Sequence, residues 1–333
     1  MEKEDILRTK ISLQGDFFDM ALYSGILYLW KNDYQVSLYH WDKWMDQLVP
    51  HQLPVYTESE PNQSISYRLD QLKPYYIKRI TFEKPVLDFL LFNHVLYFIN
   101  EDGLFTLLPT SADLSITPLA KGDFQALSLS SKDRLALSSI KNGLFEYIIT
   151  SQYKFPQQDS PLIHWNTKPT ADVFWDGHNL LQLNDVGQPI QRIDFTVKKK
   201  VISIAKEFSQ ENLHEHHNYY SSSLDLLNDN DTDSNVPLFE YLPSKQTDSI
   251  EGQIPVEFMP HHYFKSSLLT DDNFYLKEDH DGLTLISGVN NYYIWPHGSY
   301  NHFRTYPKSR NYRHHIHLLT DKTLEFYIFH VYQ

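Results

Sequence analysis

Three aspartates and one histidine recur at a spacing that could support chemistry. Asp19, Asp88 and Asp172 stand eight, eight and nine residues before Leu27, Leu96 and Leu181, and His216 stands eight before Leu224. Each leucine lies mid-way through a similar apolar stretch. Near-equal offsets therefore put the four polar groups at similar heights on equivalent strands, where they would line one channel. Carboxylates gathered in this way hold a cation through oxygen ligands, or act as general acid and base on a sugar-like ligand. Short acids also bond the backbone at a strand start or an adjacent turn, and spacing alone does not separate the two uses. Crowded carboxylates repel and raise at least one pKa. If that repulsion dominates, replacing all three Asp by Asn raises stability at neutral pH.

The histidines are a second candidate set. There are 17, and His164, His216, His262 and His302 each precede a predicted innermost strand. Imidazoles brought together from separate strands bind iron or zinc. Their offsets from the leucine anchors differ, however, so the expectation is no metal and no cofactor. His315 and His317 alternate along one stretch and share one strand face. Aromatic side chains supply contact area at low entropy cost. Trp165, Trp175, Tyr219, Tyr220 and Trp295, with His262 and His302, are the candidates for an interaction face, and packing within the core is the alternative for most of them. No Gly-rich phosphate loop, GxSxG elbow or HExxH motif is present. With no Cys, a thiolate nucleophile is excluded.

The elements that must position these residues follow from periodicity. Residues 86–108, VLDFLLFNHVLYFINEDGLFTLL, read as strand, turn, strand, Asp102-Gly103 turn and strand. Alternation of period two puts one strand face on a core, and Asp-Gly is a strong hairpin signal. Similar stretches recur around Leu27, Leu96, Leu135, Leu181, Leu224, Phe274 and Ile316, at spacings of 69, 39, 46, 43, 50 and 42 residues. That makes seven units, or six if the weak Leu224 copy is discounted. A multi-stranded unit repeating every 40–50 residues is the pattern of a β-propeller; a large β-sandwich is the alternative. The long first spacing is taken up by a polar, Pro-containing surface excursion at residues 50–70. Residues 228–235 form an acidic loop. Residues 201–208 read as an outer strand, with a short helix as the alternative. The last unit ends with three strands, and residues 6–13 form a strand without a partner in the first unit. Their pairing closes a ring and removes two sheet edges.

The repeated unit, with its Asp-Gly turn and a single Trp41-Asp42 at the end of a third strand, resembles the WD40-like β-propeller superfamily. The resemblance covers nearly the whole chain and specifies no individual family. It implies an all-β fold, with residues 1–333 forming one propeller domain.

Composition narrows the partners. The 333 residues include 42 acidic and 29 basic side chains, a formal charge of −13. Such a chain repels nucleic acid and anionic membrane and suits a partner protein with a basic surface. The N-terminal stretch lacks the apolar core of a secretory signal, which points to the cytoplasm. The leading expectation is a non-catalytic protein-interaction scaffold. The alternatives are a hydrolase or lyase acting at the channel mouth through Asp19, Asp88 or Asp172, and a lectin-like carbohydrate binder. Elemental analysis of the purified protein is expected to find no stoichiometric transition metal. About one iron or zinc per chain would instead promote the histidine set.

Overall fold

The computed structural model describes residues 7–48, 65–130, 133–149, 162–176, 179–183, 191–198, 201–209, 218–219, 239–240, 274–279, 282–287, 290–295, 300–306, 309, 311–312 and 315–330. In chain order the elements begin with β1 (Leu7–Gln14), β2 (Asp19–Tyr23), β3 (Ile26–Asn32), β4 (Gln35–His40) and helix α1 (Trp41–Leu48). Then come β5 (Ile65–Arg68), a 3-10 turn (Leu69–Tyr75), β6 (Tyr76–Thr81), β7 (Asp88–Phe92), β8 (Val95–Asn100), β9 (Gly103–Leu107) and β10 (Thr117–Lys121). They continue with β11 (Ala126–Leu129), β12 (Arg134–Ser139), β13 (Gly143–Ile148), β14 (Leu162–Asn166), β15 (Asp172–Asp176), β16 (Asn179–Leu183), β17 (Gln191–Lys198) and β18 (Val201–Ser209). The last are β19 (Asn218–Tyr219), β20 (Phe239–Glu240), β21 (Phe274–Asp279), β22 (Gly282–Ser287), β23 (Asn290–Trp295), β24 (His302–Thr305), β25 (His315–Leu319) and β26 (Thr323–His330). No helix among the described residues is long and apolar enough to cross a membrane.

The chain forms two compact units, residues 1–83 with 265–333 and residues 84–264. In the first unit, β2, β3, β4 and β6 make an antiparallel four-stranded meander. The β2–β3 turn places Ser24 and Gly25 at φ of 49° and 75°, the left-handed pair that a tight hairpin requires. A second sheet has the order β24-β25-β26-β1-β5. In it β1 pairs antiparallel with β26 from Leu7↔His330 to Gln14↔Thr323. Alternate residues of this ladder, Ile11, Leu13, Leu324 and Phe326, are fully buried. On the opposite face Ser12 lies across from Glu325 and donates its hydroxyl to the carboxylate at 2.6 Å. Thr323 Oγ1 donates to the same oxygen at 2.9 Å, and Lys10 Nζ is 3.5 Å from the other. Strands β21, β22 and β23 make a third sheet.

In the second unit, β7–β10, β11–β14 and β15–β18 are three antiparallel four-stranded meanders, and β19 pairs with β20. Strand β11 lies against both β7 and β15. One core gathers Tyr97, Ile99, Leu104, Phe124, Leu135 and Leu137 between the first two meanders; another gathers Ala136, Leu144, Val173, Trp175, Leu180 and Ile193 between the second and third. A four-stranded sheet cannot bury both faces alone, and packing sheet on sheet does so.

Among the described residues, the strands around Leu27, Leu96, Leu135, Leu181 and Ile316 fall where alternation predicts them, with residues 201–208 extended as β18 rather than helical. The N-terminal strand pairs with the last strand as expected. Three features differ. Trp41-Asp42 does not end a strand but opens α1, because the backbone N–H groups of Trp41 and Asp42 turn onto the Gly25 carbonyl at 2.9 and 3.5 Å. Trp41 and Trp44, both 2% exposed, then pack edge to face at 5.5 Å inside the core. The end of the expected excursion is also ordered: Ile65–Arg68 adds parallel to β1 as a fifth strand, with Tyr67 edge-on to Trp44 at 5.4 Å. Strand β14 completes the β11–β14 meander within a stretch that alternation left unassigned. Most of the excursion, the Leu224 anchor and the 228–235 loop lie outside the described residues.

Deleting residues 1–14 removes the strand between β26 and β5. It is expected to yield aggregated or unfolded protein, because two sheet edges open at once. The milder Glu325→Ala is expected to cost about 2–3 kcal/mol in chemical denaturation, since it strands Ser12, Thr323 and Lys10. Wild-type unfolding midpoints in both variants would show that the ladder is dispensable.

Candidate functional site

Asp19, Asp88 and Asp172 are the first residues of β2, β7 and β15, so near-equal offset does mean equal position. In each, one carboxylate oxygen accepts the N–H of the following residue: Met20 at 2.6 Å, Phe89 at 2.8 Å and Val173 at 2.7 Å. All three are buried. The cause is local. A short acid at a strand start folds back on its neighbour's amide before the ladder satisfies it.

The second oxygens reach farther. In the second unit Asp88 Oδ2 accepts the Leu127 N–H of β11 at 2.9 Å. Between β11 and β15 the direction reverses, with Ser128 Oγ accepting the Trp175 N–H at 3.0 Å. In the first unit Asp19 meets Arg304 of β24 in a two-point pair, Nε to Oδ1 at 2.9 Å and Nη2 to Oδ2 at 2.6 Å. These carboxylates are anchor points for strands, and the charge of Asp19 is matched by a guanidinium. Repulsion is therefore not what decides their effect on stability, and the gain expected from Asn replacement changes sign.

The interaction-face candidates divide. Trp175 is 3% exposed, packed 5.5 Å from Phe195, so it belongs to the core. Trp165 is half-buried and donates its indole N–H to Glu146 Oε2 at 2.8 Å. His164 is exposed, stacked on Phe145 at 4.4 Å and bonded through Nε2 to the Asn142 carbonyl at 2.8 Å. Tyr219, Trp295 and His302 lie in β19, β23 and β24, while His216, Tyr220 and His262 lie outside the described residues. Among the described residues, no group of three or more His, Asp or Glu is placed to hold a metal ion.

Two buried polar clusters escaped the sequence reading. Arg134 and Glu146, 5% and 0% exposed, form a two-point ion pair, with Nη2 to Oε2 at 2.7 Å. The guanidinium packs against the Trp175 ring at 4.5 Å and the Phe195 ring at 4.3 Å. The available signal was a charged residue at an inward position on each of two paired strands. The other cluster surrounds α1. Tyr312 accepts the Gly25 N–H at 2.7 Å and donates to Asp42 Oδ1 at 3.2 Å; burial, then the Asp42 charge, pushes its pKa up to about 12. His315 and His317 do share a strand face as expected, but that face is buried. The His317 ring shares a hydrogen bond through Nδ1 with Tyr306 Oη at 2.9 Å, and its Nε2 finds no partner among the described residues. Trp41 and Phe326 enclose it at 5.8 and 4.8 Å. Burial first, and His315 second, hold the His317 pKa well below the usual imidazole range.

No protein-family model matches the chain, and no curated protein matches it. Among solved structures it is similar to the Neurospora crassa Pan2 WD40 domain, at 9% identity over 98% of this chain and 97% of that one, with a TM-score of 0.47. It is also similar to the computationally designed Ika4 protein, at 10% identity over 55% and 94% with a TM-score of 0.33. Kluyveromyces lactis Hsv2 is similar at 11% identity over 59% and 74%, also with a TM-score of 0.33. Four of the sheets among the described residues are antiparallel four-stranded meanders.

Asp19→Asn is expected to destabilise the protein by about 2–4 kcal/mol, because it leaves Arg304 without its counter-charge. A rise in the denaturation midpoint would restore the repulsion account. His317 gives the second expectation. Its folded pKa lies below the unfolded value near 6.5, so the unfolded chain takes up a proton first on acidification. Its stabilising effect is complete above about pH 6.5 and falls below it, by at most about 1.4 kcal/mol per pH unit. Denaturation between about pH 7.5 and about pH 5 should show this slope reduced in His317→Leu; equal slopes would remove His317 as its source.

Proposed function

We propose that residues 1–333 form one seven-bladed β-propeller, closed by β1 on β26, that serves in the cytoplasm as a non-catalytic platform for protein–protein interaction. The observation that carries this reading is the use of the repeated aspartates. A general base needs a lone pair facing its substrate. Here Asp19 and Asp88 spend both oxygens on backbone amides or Arg304, and Asp172 binds its own strand. A rigid stack of meanders with chemically occupied carboxylates suits presentation of loops to a partner. The formal charge of −13 favours a partner with a basic surface and makes association sensitive to salt.

The test pairs binding with turnover. Cross-linking in the native host followed by reciprocal capture is expected to recover a stoichiometric protein partner, released by high salt. Incubation with a panel of aryl glycosides is expected to give no turnover above buffer. Turnover that Asp172→Asn abolishes, with the fold intact by circular dichroism, would overturn the platform in favour of a sugar-directed enzyme.

A further inference from the structure

Strand β6 is the last strand of its sheet, and among the described residues nothing pairs with its open side. Its sequence, YIKRIT, carries Lys78 and Arg79 and no acid, in a chain whose formal charge is −13. The segment from Ile65 to Glu83 holds Arg68, Lys73, Lys78 and Arg79 against Asp70 and Glu83, four cations less two anions, or +2. Arg68 is paired with Asp70 at 3.3 Å. Lys73 and Arg79 are exposed, and neither is in an ion pair among the described residues.

The backbone of β6 is aimed for pairing. Phe82 N–H bonds the Tyr34 carbonyl at 2.9 Å, and the ladder continues as Ile80 opposite Val36 and Lys78 opposite Leu38. Successive residues of a strand point their amides to opposite sides. The N–H and C=O groups of Arg79 and Thr81 therefore face the open edge. An aromatic ring stands at each end: Tyr76, 46% exposed and edge-on to Tyr39 at 5.8 Å, and Tyr34, 41% exposed beside Phe82. The span between them is roughly 20 Å, the length of an extended segment of about six residues.

Cations on an edge strand also deter pairing between identical copies, and that accounts for Lys78 and Arg79 alone. It does not account for exposed rings at both ends. The other edges differ: β10 contains Pro118, which has no amide to give, and a register break beside it. Strand β14 carries no lysine, arginine or acid, and Lys206 and Glu207 cancel on β18.

We propose that the open edge of β6 is a docking site for an extended acidic segment of a partner protein. The segment adds as a strand against Arg79 and Thr81, its carboxylates meet Lys73 and Arg79, and apolar residues at its ends rest on Tyr34 and Tyr76. This site is separate from any basic partner of the acidic surface, and its probe tests it alone.

The experiment is fluorescence anisotropy on the full chain, using a labelled peptide of about eight residues that alternates glutamate and valine. The expected result is saturable binding that weakens as salt rises and at least about tenfold preference over the same peptide with lysine for glutamate. Arg79→Glu should weaken binding about tenfold or more, and Arg79→Lys should retain it. Thr81→Pro removes an amide from the open side while leaving the β4 ladder and the charge intact, and should weaken binding comparably. Thermal unfolding of each variant identifies those that keep the fold. Equal binding of both peptides, or full affinity in folded Arg79→Glu and Thr81→Pro, would overturn the proposal. So would single-stranded DNA or anionic vesicles binding more tightly than the acidic peptide, since neither uses a strand edge.

Discussion

The first unit depends on one ladder, β1 against β26. It joins chain segments that lie more than 300 residues apart, Leu7 with His330 and Gln14 with Thr323. Contacts this distant in sequence repay their closure entropy only if many form together. The ladder supplies eight register pairs and an apolar face, and three polar locks cross the same gap. Ser12 and Lys10 meet Glu325, Asp19 meets Arg304, and Tyr312 ties Gly25 to Asp42. Each lock joins residues near the N-terminal end to residues beyond 300, so loss of register in β1 would unmake them together.

Two ion pairs, the buried Arg134–Glu146 and the part-buried Asp19–Arg304, fix strands within their own units. Burying a charge costs several kcal/mol, roughly, and a pair returns this only with good geometry. Both Asp19–Arg304 and Arg134–Glu146 have two-point geometry. Both also link different strands, β2 with β24 and β12 with β13. An apolar pair tolerates a one-residue slip far better than a fork of two hydrogen bonds does. The gain is therefore in register as much as in stability. The Trp175 and Phe195 rings against Arg134 replace water with polarisable faces, which lowers the cost of keeping the guanidinium dry.

Strand positions were legible because they depend on local alternation and turn residues, which Leu96, Phe98 and Asp102-Gly103 display openly. Helix α1 was legible in its spacing, since Trp41, Trp44, Met45 and Leu48 stand at i, i+3, i+4 and i+7. The Trp-Asp dipeptide suggests a strand end instead, and what turns it into a helix start is the Gly25 carbonyl, 16 residues earlier, receiving the first amides. Strand β5 was hidden because Ile65–Arg68 is only four residues long and its partner β1 lies more than 50 residues away. The aspartates are the instructive case. Their near-equal offsets put all three at strand starts, but position does not reveal occupancy. Whether Asp88 holds an open lone pair depends on the Leu127 amide, and no spacing rule contains that distance.

Once the carboxylates are taken up by the backbone, recognition must use groups that folding leaves unspent. A sheet of finite width always leaves two such edges, and its neighbours on either face cannot cover them. The chain treats its edges unequally. The edge of β1 is covered by β5, and β10 is blunted by Pro118, whereas β6 remains unpaired among the described residues, with amides outward and two cations. In an acidic protein that choice has an electrostatic consequence. Two copies of β6 present like charges to each other, while an acidic strand, opposed by the net charge of −13, would meet opposite charge at this edge. The same few charges thus oppose self-association and select an orientation for a partner of opposite sign.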